Sequence, residues 1–121
     1  MTSNKETALS FLQTCAMKSP KDAFAKYVNP GFRHHNQYFK GDADALMNAM
    51  IEADKEHPNL KFEPKHVFED GDRVAVHSRV VKEKMEIAVV HILRFENGKV
   101  SEMWDVGQVL EKNSPNENGM F

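Results

Sequence analysis

The 121-residue chain predicts an α+β domain: helices first, then an antiparallel sheet with the helices packed on one face. Two observations carry that expectation. As far as Pro58 the apolar residues recur at helical spacing, and from Leu60 onward they alternate with period two. Between the alternating runs stand Asp70-Gly71 and Asn97-Gly98, dipeptides that favour tight hairpins.

Each helix has its own signals. Ala8, Leu9, Leu12, Cys15 and Ala16 lie on one stripe of a first helix. "SPKD" opens a second, with Ser19 as N-cap, Pro20 in the first turn and Asp22 near the positive end of the dipole. Phe24, Tyr27 and Val28 supply its buried face, and Asn29-Pro30-Gly31 is expected to end it. The third starts after Asp42 as cap, buries Ala43, Leu46, Met47, Met50 and Ile51, and stops at Pro58.

Four strands of about ten residues follow: "LKFEPKHVFE", "DRVAVHSRVV", "EIAVVHILRF" and "KVSEMWDVGQVL". Pro64 cannot donate to a ladder, so it marks a bulge or an edge strand. "FRHHN", Phe32 to Asn36, suits a short extra strand. Residues 1–121 read as one domain whose polar tail, 112–121, is loose unless Met120 and Phe121 dock on something.

Composition narrows the function. With 16 basic and 18 acidic residues and no basic block, nothing prepares the chain to track nucleic acid. No run approaches the roughly 20 apolar residues of a membrane span, and "MTSNKETALSFLQ" lacks the core of a secretory signal. The lone Cys15 forms no intrachain disulfide and suits a reducing compartment, so the expected location is the cytoplasm. A glycine-rich phosphate loop, a G-x-S-x-G elbow and an H-E-x-x-H pair are all missing.

Candidate chemistry centres on the last strand. Asp105 stands among Val100, Met103, Val106 and Val109, where a carboxylate costs folding energy unless paired or hydrogen-bonded. Alternation points Asp105 and its neighbour Trp104 in opposite directions. A two-residue loop at Asn97-Gly98 pairs His91 with Trp104, whereas a three-residue loop with a glycine bulge pairs His91 with Met103 and Val89 with Asp105. Only the second brings His91 and Asp105 to one face, joined there by Val89, Met103 and, on this reading, His77. Met47 and Met50 of the third helix form a lid.

Such a pocket binds a small hydrophobic molecule, and a carboxylate in it can take a proton alpha to a carbonyl while an imidazole polarises the oxygen. That chemistry needs neither metal nor cofactor. The rivals are a non-catalytic binder of a lipid or aromatic metabolite, and a metal site built from His35, His77, His91 and Asp105.

"FRHHNQYFKGDADAL", "EDGDRVAVHSRVV" and "VVHILRFENGKVSEMWDVGQ" resemble the SnoaL-like polyketide cyclase family of the nuclear-transport-factor-two-like superfamily, over about residues 5 to 111. The resemblance implies a cone-shaped α+β fold, three N-terminal helices on a curved, mostly antiparallel sheet, and a deep cavity between them. It implies cofactor-independent aldol ring closure and a homodimer formed through the sheet. It matches the family's site positions to His35-Asn36, His77 and Asp105. Many relatives carry His where this chain has Met103 and Asp where it has His91. The expected site is therefore Asp105, His91, His77 and His35, lined by Phe32, Met47, Met50, Val89 and Met103.

Overall fold

The computed structural model describes residues 2–121. Three helices and five strands follow in the order α1 (Asn4–Met17), α2 (Pro20–Tyr27), β1 (Val28–His34), α3 (Ala43–Glu56), β2 (Asn59–Asp70), β3 (Arg73–Lys82), β4 (Glu86–Glu96) and β5 (Lys99–Val109). The strands form one sheet in the order β1-β5-β4-β3-β2, in which β1 runs parallel to β5 and the other neighbours are antiparallel. No described helix is long and apolar enough to cross a membrane.

Helix starts follow the capping signals. Ser3, Ser19 and Asp42 each accept a hydrogen bond from the backbone N–H three residues on, and Pro20 occupies the first turn of α2. The stripes of α1 and α2 meet through aromatic edges. Phe11, fully buried, lies edge-on to Phe24 at 5.5 Å, and Phe24 lies edge-on to Phe32 at 5.7 Å. Together with Leu12, Leu46, Phe62, Val74, Val76, Leu93, Phe95, Val100 and Met103 they form one continuous core between the helices and one side of the sheet.

Asn29-Pro30-Gly31 does not end α2 in a loop. The chain passes straight into β1 at Val28, and the three residues lie inside the strand. The register slips between Val28 and Arg33, where Gly31 takes φ +80°. Pro64 behaves as its missing donor requires, since β2 is an edge strand with an irregularity between Pro64 and His66.

The β4–β5 hairpin follows neither register considered above. Glu96 pairs with Lys99 across a two-residue loop whose Asn97 and Gly98 both have positive φ, 52° and 78°. The ladder then shifts between Arg94 and Phe95, so that one extra residue, Ser101, is taken up in β5. Beyond it Arg94 pairs with Glu102, Leu93 with Met103 and His91 with Asp105. The expected shared face exists, but the bulge that creates it lies in the strand and not at the turn. Asn29 of β1 fixes it, donating through Nδ2 to Ser101 Oγ at 2.8 Å and to the Glu96 carbonyl at 2.9 Å.

The β3–β4 register corrects a second expectation. Val76, not His77, pairs with His91. His77 therefore faces outward, where it stacks on His66 at 5.3 Å and on Phe121 at 5.4 Å. His66 Nε2 donates to the Phe121 main-chain oxygen at 3.2 Å. The tail has no helix or strand, yet its last two residues lie against this outer side, with Met120 beside His77, Val90 and Val106.

Candidate active site

A cavity of about 740 Å³ opens between α1, α3 and the helix-facing side of the sheet. Leu12, Met50, Phe62, Val80, Ile87 and Val89 give it apolar walls, and Asn36, His91 and Asp105 meet at one end. The size and the few convergent polar groups fit a small-molecule site.

Asp105 is mostly buried and has two neighbours. Its Oδ2 accepts from Asn36 Nδ2 at 2.9 Å, and its Oδ1 faces His91 Nε2 at 3.6 Å. That second separation exceeds a hydrogen bond, so the His91 N–H is not committed to the carboxylate. His91 Nδ1 is buried with no partner among the described residues, and the carboxylate facing Nε2 favours the tautomer that carries the ring proton there. Burial pushes the His91 pKa down; the Asp105 charge acts in the opposite sense but is the smaller effect. Folding therefore favours the neutral form of this imidazole.

Asn36 reaches Asp105 because the loop after β1 is tied from both sides. His34, buried, donates through Nε2 to the Lys40 carbonyl at 2.7 Å, which leaves Nδ1 to accept from the Asn36 N–H at 3.1 Å. The His35 N–H donates to the Met103 carbonyl at 2.9 Å, continuing the ladder of β1 and β5. The Tyr38 N–H donates to Asn36 Oδ1 at 3.0 Å, so the amide can only turn its NH₂ towards Asp105.

His35 is placed differently from expectation. It borders the cavity, but its ring stacks on Trp104 at 4.9 Å and Nε2 donates to Glu102 Oε2 at 2.6 Å. Trp104 and Glu102 alternate with Asp105 and so lie on the outer side of β5, which directs the His35 imidazole away from the cavity. Glu102 gathers further donors: Arg33 Nε at 3.0 Å, Arg33 Nη2 at 3.3 Å and Arg94 Nε at 3.0 Å. The bonds from Arg33 and then His35 outweigh burial and hold its pKa down to about 2. This buried carboxylate fastens the segment that carries Asn36.

Of the expected lining, Met50 and Val89 border the cavity, while Phe32 and Met103 belong to the core and Met47 packs against it. His77 is on the far side of the sheet, so the four-residue metal set does not converge. Among the described residues no three His, Cys, Asp or Glu side chains group as a metal would require. Cys15 borders the cavity, but burial pushes its thiol pKa up, which removes it as a nucleophile. Asn36 was reached only through the family resemblance and not by residue patterning, and Glu102 by neither. Inward–outward alternation across His34-His35-Asn36 was the available signal for the first.

Comparison with known proteins places this architecture. AclR from Streptomyces galilaeus superimposes with a TM-score of 0.74 at 23% identity, over 86% of this chain and 77% of that one. A SnoaL-like polyketide cyclase from Agrobacterium tumefaciens gives 0.74 at 16% identity, over 89% and 93%. An NTF2-like protein of unknown function from Cytophaga hutchinsonii gives 0.71 at 16%, over 89% and 92%. At these identities the likeness shows the fold, which is NTF2-like. The SnoaL-like domain profile matches residues 10–103, and the chain belongs to that family. A search of curated proteins found no match.

Two groups set separate acid limits on stability. The His91 pKa is lowered by folding, so the unfolded chain binds that proton more readily and stability falls as pH drops below about 6.5. Glu102 is lowered from 4.5 to about 2, so its contribution is present above 4.5 and disappears between those values. In urea unfolding across pH, His91→Gln should flatten the upper window only and Glu102→Gln the lower window only. Unchanged pH profiles in both variants would refute these assignments.

Proposed function

We propose that the cavity binds a small hydrophobic carbonyl compound and that Asp105 exchanges a proton with the carbon next to the carbonyl. The observation that carries this reading is the uncommitted His91 N–H beside the Asp105 carboxylate, at the polar end of an apolar cavity. Asp105 removes the proton, the C–H pair becomes the C=C bond of an enolate, and the carbonyl π pair moves onto oxygen, where negative charge develops. A neutral imidazole N–H in the same pocket stabilises that oxygen without first losing a proton of its own. The Asn36 amide holds the carboxylate in place.

Return of the proton to carbon gives an isomerisation. Attack of the enolate on a second carbonyl of the same molecule gives an aldol ring closure. The SnoaL-like family and the cyclase among the structural relatives favour the second outcome. His35 serves in this scheme as a positioning residue for Asn36, and His77 has no part in it.

Solvent exchange tests the chemistry without the natural substrate. The protein should accelerate deuterium uptake next to the carbonyl of 1-tetralone in heavy water, followed by proton NMR. Asp105→Asn should lower that rate by about 100-fold or more, within the usual range for a general base. A variant that exchanges at the wild-type rate would remove Asp105 from the chemistry.

We infer also that two copies associate through the outer side of the sheet. Val90, Ile92, Trp104 and Val106 make an apolar strip there, with Phe68 exposed nearby. Sedimentation should show a dimer that Ile92→Asp dissociates, with the far-UV circular dichroism unchanged. A wild-type monomer at high micromolar concentration would contradict this.

A further inference from the structure

The cavity has a second polar end. On β3 the helix-facing residues alternate as Val76, Ser78, Val80 and Lys82, so the last residue of the strand turns its side chain to the same side as His91 and Asp105. Lys82 borders the cavity with Ala53, Asp54 and Asn59, and among the described lining residues it is the only lysine or arginine. Its Nζ donates to the His57 carbonyl, at the C-terminal cap of α3, at 2.6 Å.

That bond explains part of Lys82 structurally, because a cation at a helix C-terminus is favourable. It uses one of three N–H donors and leaves two. Lys82 is also partly withdrawn from water: burial lowers its pKa, more than the Asp54 charge raises it. An ammonium with two uncommitted donors at the rim of an apolar cavity is a recognition group for an anion.

We propose that Lys82 is the second anchor of this cavity and binds a carboxylate on the ligand. Val76 lies level with His91 and Asp105, six residues along β3 from Lys82. Six residues of strand span about 20 Å, part of which the lysine arm covers. The ligand class is therefore an elongated oxo acid: a carbonyl at the Asp105 end, an apolar body against Leu12, Met50, Phe62 and Val89, and a carboxylate at Lys82. This rests on the reading that the Asp105 end receives a carbonyl.

Titration calorimetry with 4′-acetylbiphenyl-4-carboxylic acid and its methyl ester tests the proposal. The wild-type protein should bind the acid about 3- to 10-fold tighter than the ester, a preference that shrinks in high salt. Lys82→Gln keeps a donor for the His57 carbonyl and removes the charge; it should bring acid and ester to equal affinity. Asp54→Asn should widen the preference. Equal binding of acid and ester by the wild-type protein, or a preference that survives Lys82→Gln, would overturn the role of Lys82 and leave the carbonyl site standing. Binding of neither probe would overturn both.

Discussion

The candidate site depends on one additional residue in β5. Without the shift at Ser101, a two-residue turn at Asn97-Gly98 would set His91 opposite Trp104 and turn Asp105 to the outer side of the sheet. With it, Asp105 faces His91 inside, and Trp104 and Glu102 face out. A bulge leaves a residue unpaired in the ladder, so something else must satisfy it. The Asn29 side chain braces the distorted stretch, donating to the Ser101 hydroxyl and to the Glu96 carbonyl. Thus β1, the parallel edge strand, holds in place the register that turns Asp105 towards the cavity.

The same segment works on both sides of the sheet. His34, His35 and Asn36 are consecutive, and alternation divides them between a buried loop anchor, an outer contact and an inner donor. His35 is held by Trp104 and Glu102, and Asn36 is aimed at Asp105 by its own amide contacts. A cluster of Arg33, Arg94 and His35 about Glu102 thereby contributes to the geometry of a carboxylate it does not touch. Buried charge is costly unless fully partnered, and Glu102 has four charge-assisted hydrogen bonds.

Most of the fold was legible because it rests on local physics. Capping by Ser19 and Asp42, the stripe of Leu46 and Met50, and period-two alternation after Leu60 are properties of neighbouring residues. Asp105 stood out for the same reason, as a lone carboxylate in an apolar strand. What was not legible depends on long-range pairing. The bulge at Ser101 is fixed by Asn29, far away in sequence, so counting from the turn gave the wrong partner for His91. The inward assignment of His77 failed similarly, because the β3–β4 register is not written in either strand alone. Met103 and Phe32 looked like pocket lining because core and cavity residues share the same alternation along the sheet. The outward turn of His35 and the placing of the Lys82 ammonium depend on Glu102 and His57, contacts that no spacing rule announces.

Backbone proton contacts of His91 across the hairpin, measured by NMR in the labelled protein, test the central claim most directly. The expected result is a cross-strand contact between His91 and Asp105, with Leu93 opposite Met103. A contact of His91 with Trp104 would mean that the Ser101 shift is absent and Asp105 points out of the cavity. A contact with Met103 would place the bulge at the turn and pair Asp105 with Val89, and either result would contradict the account.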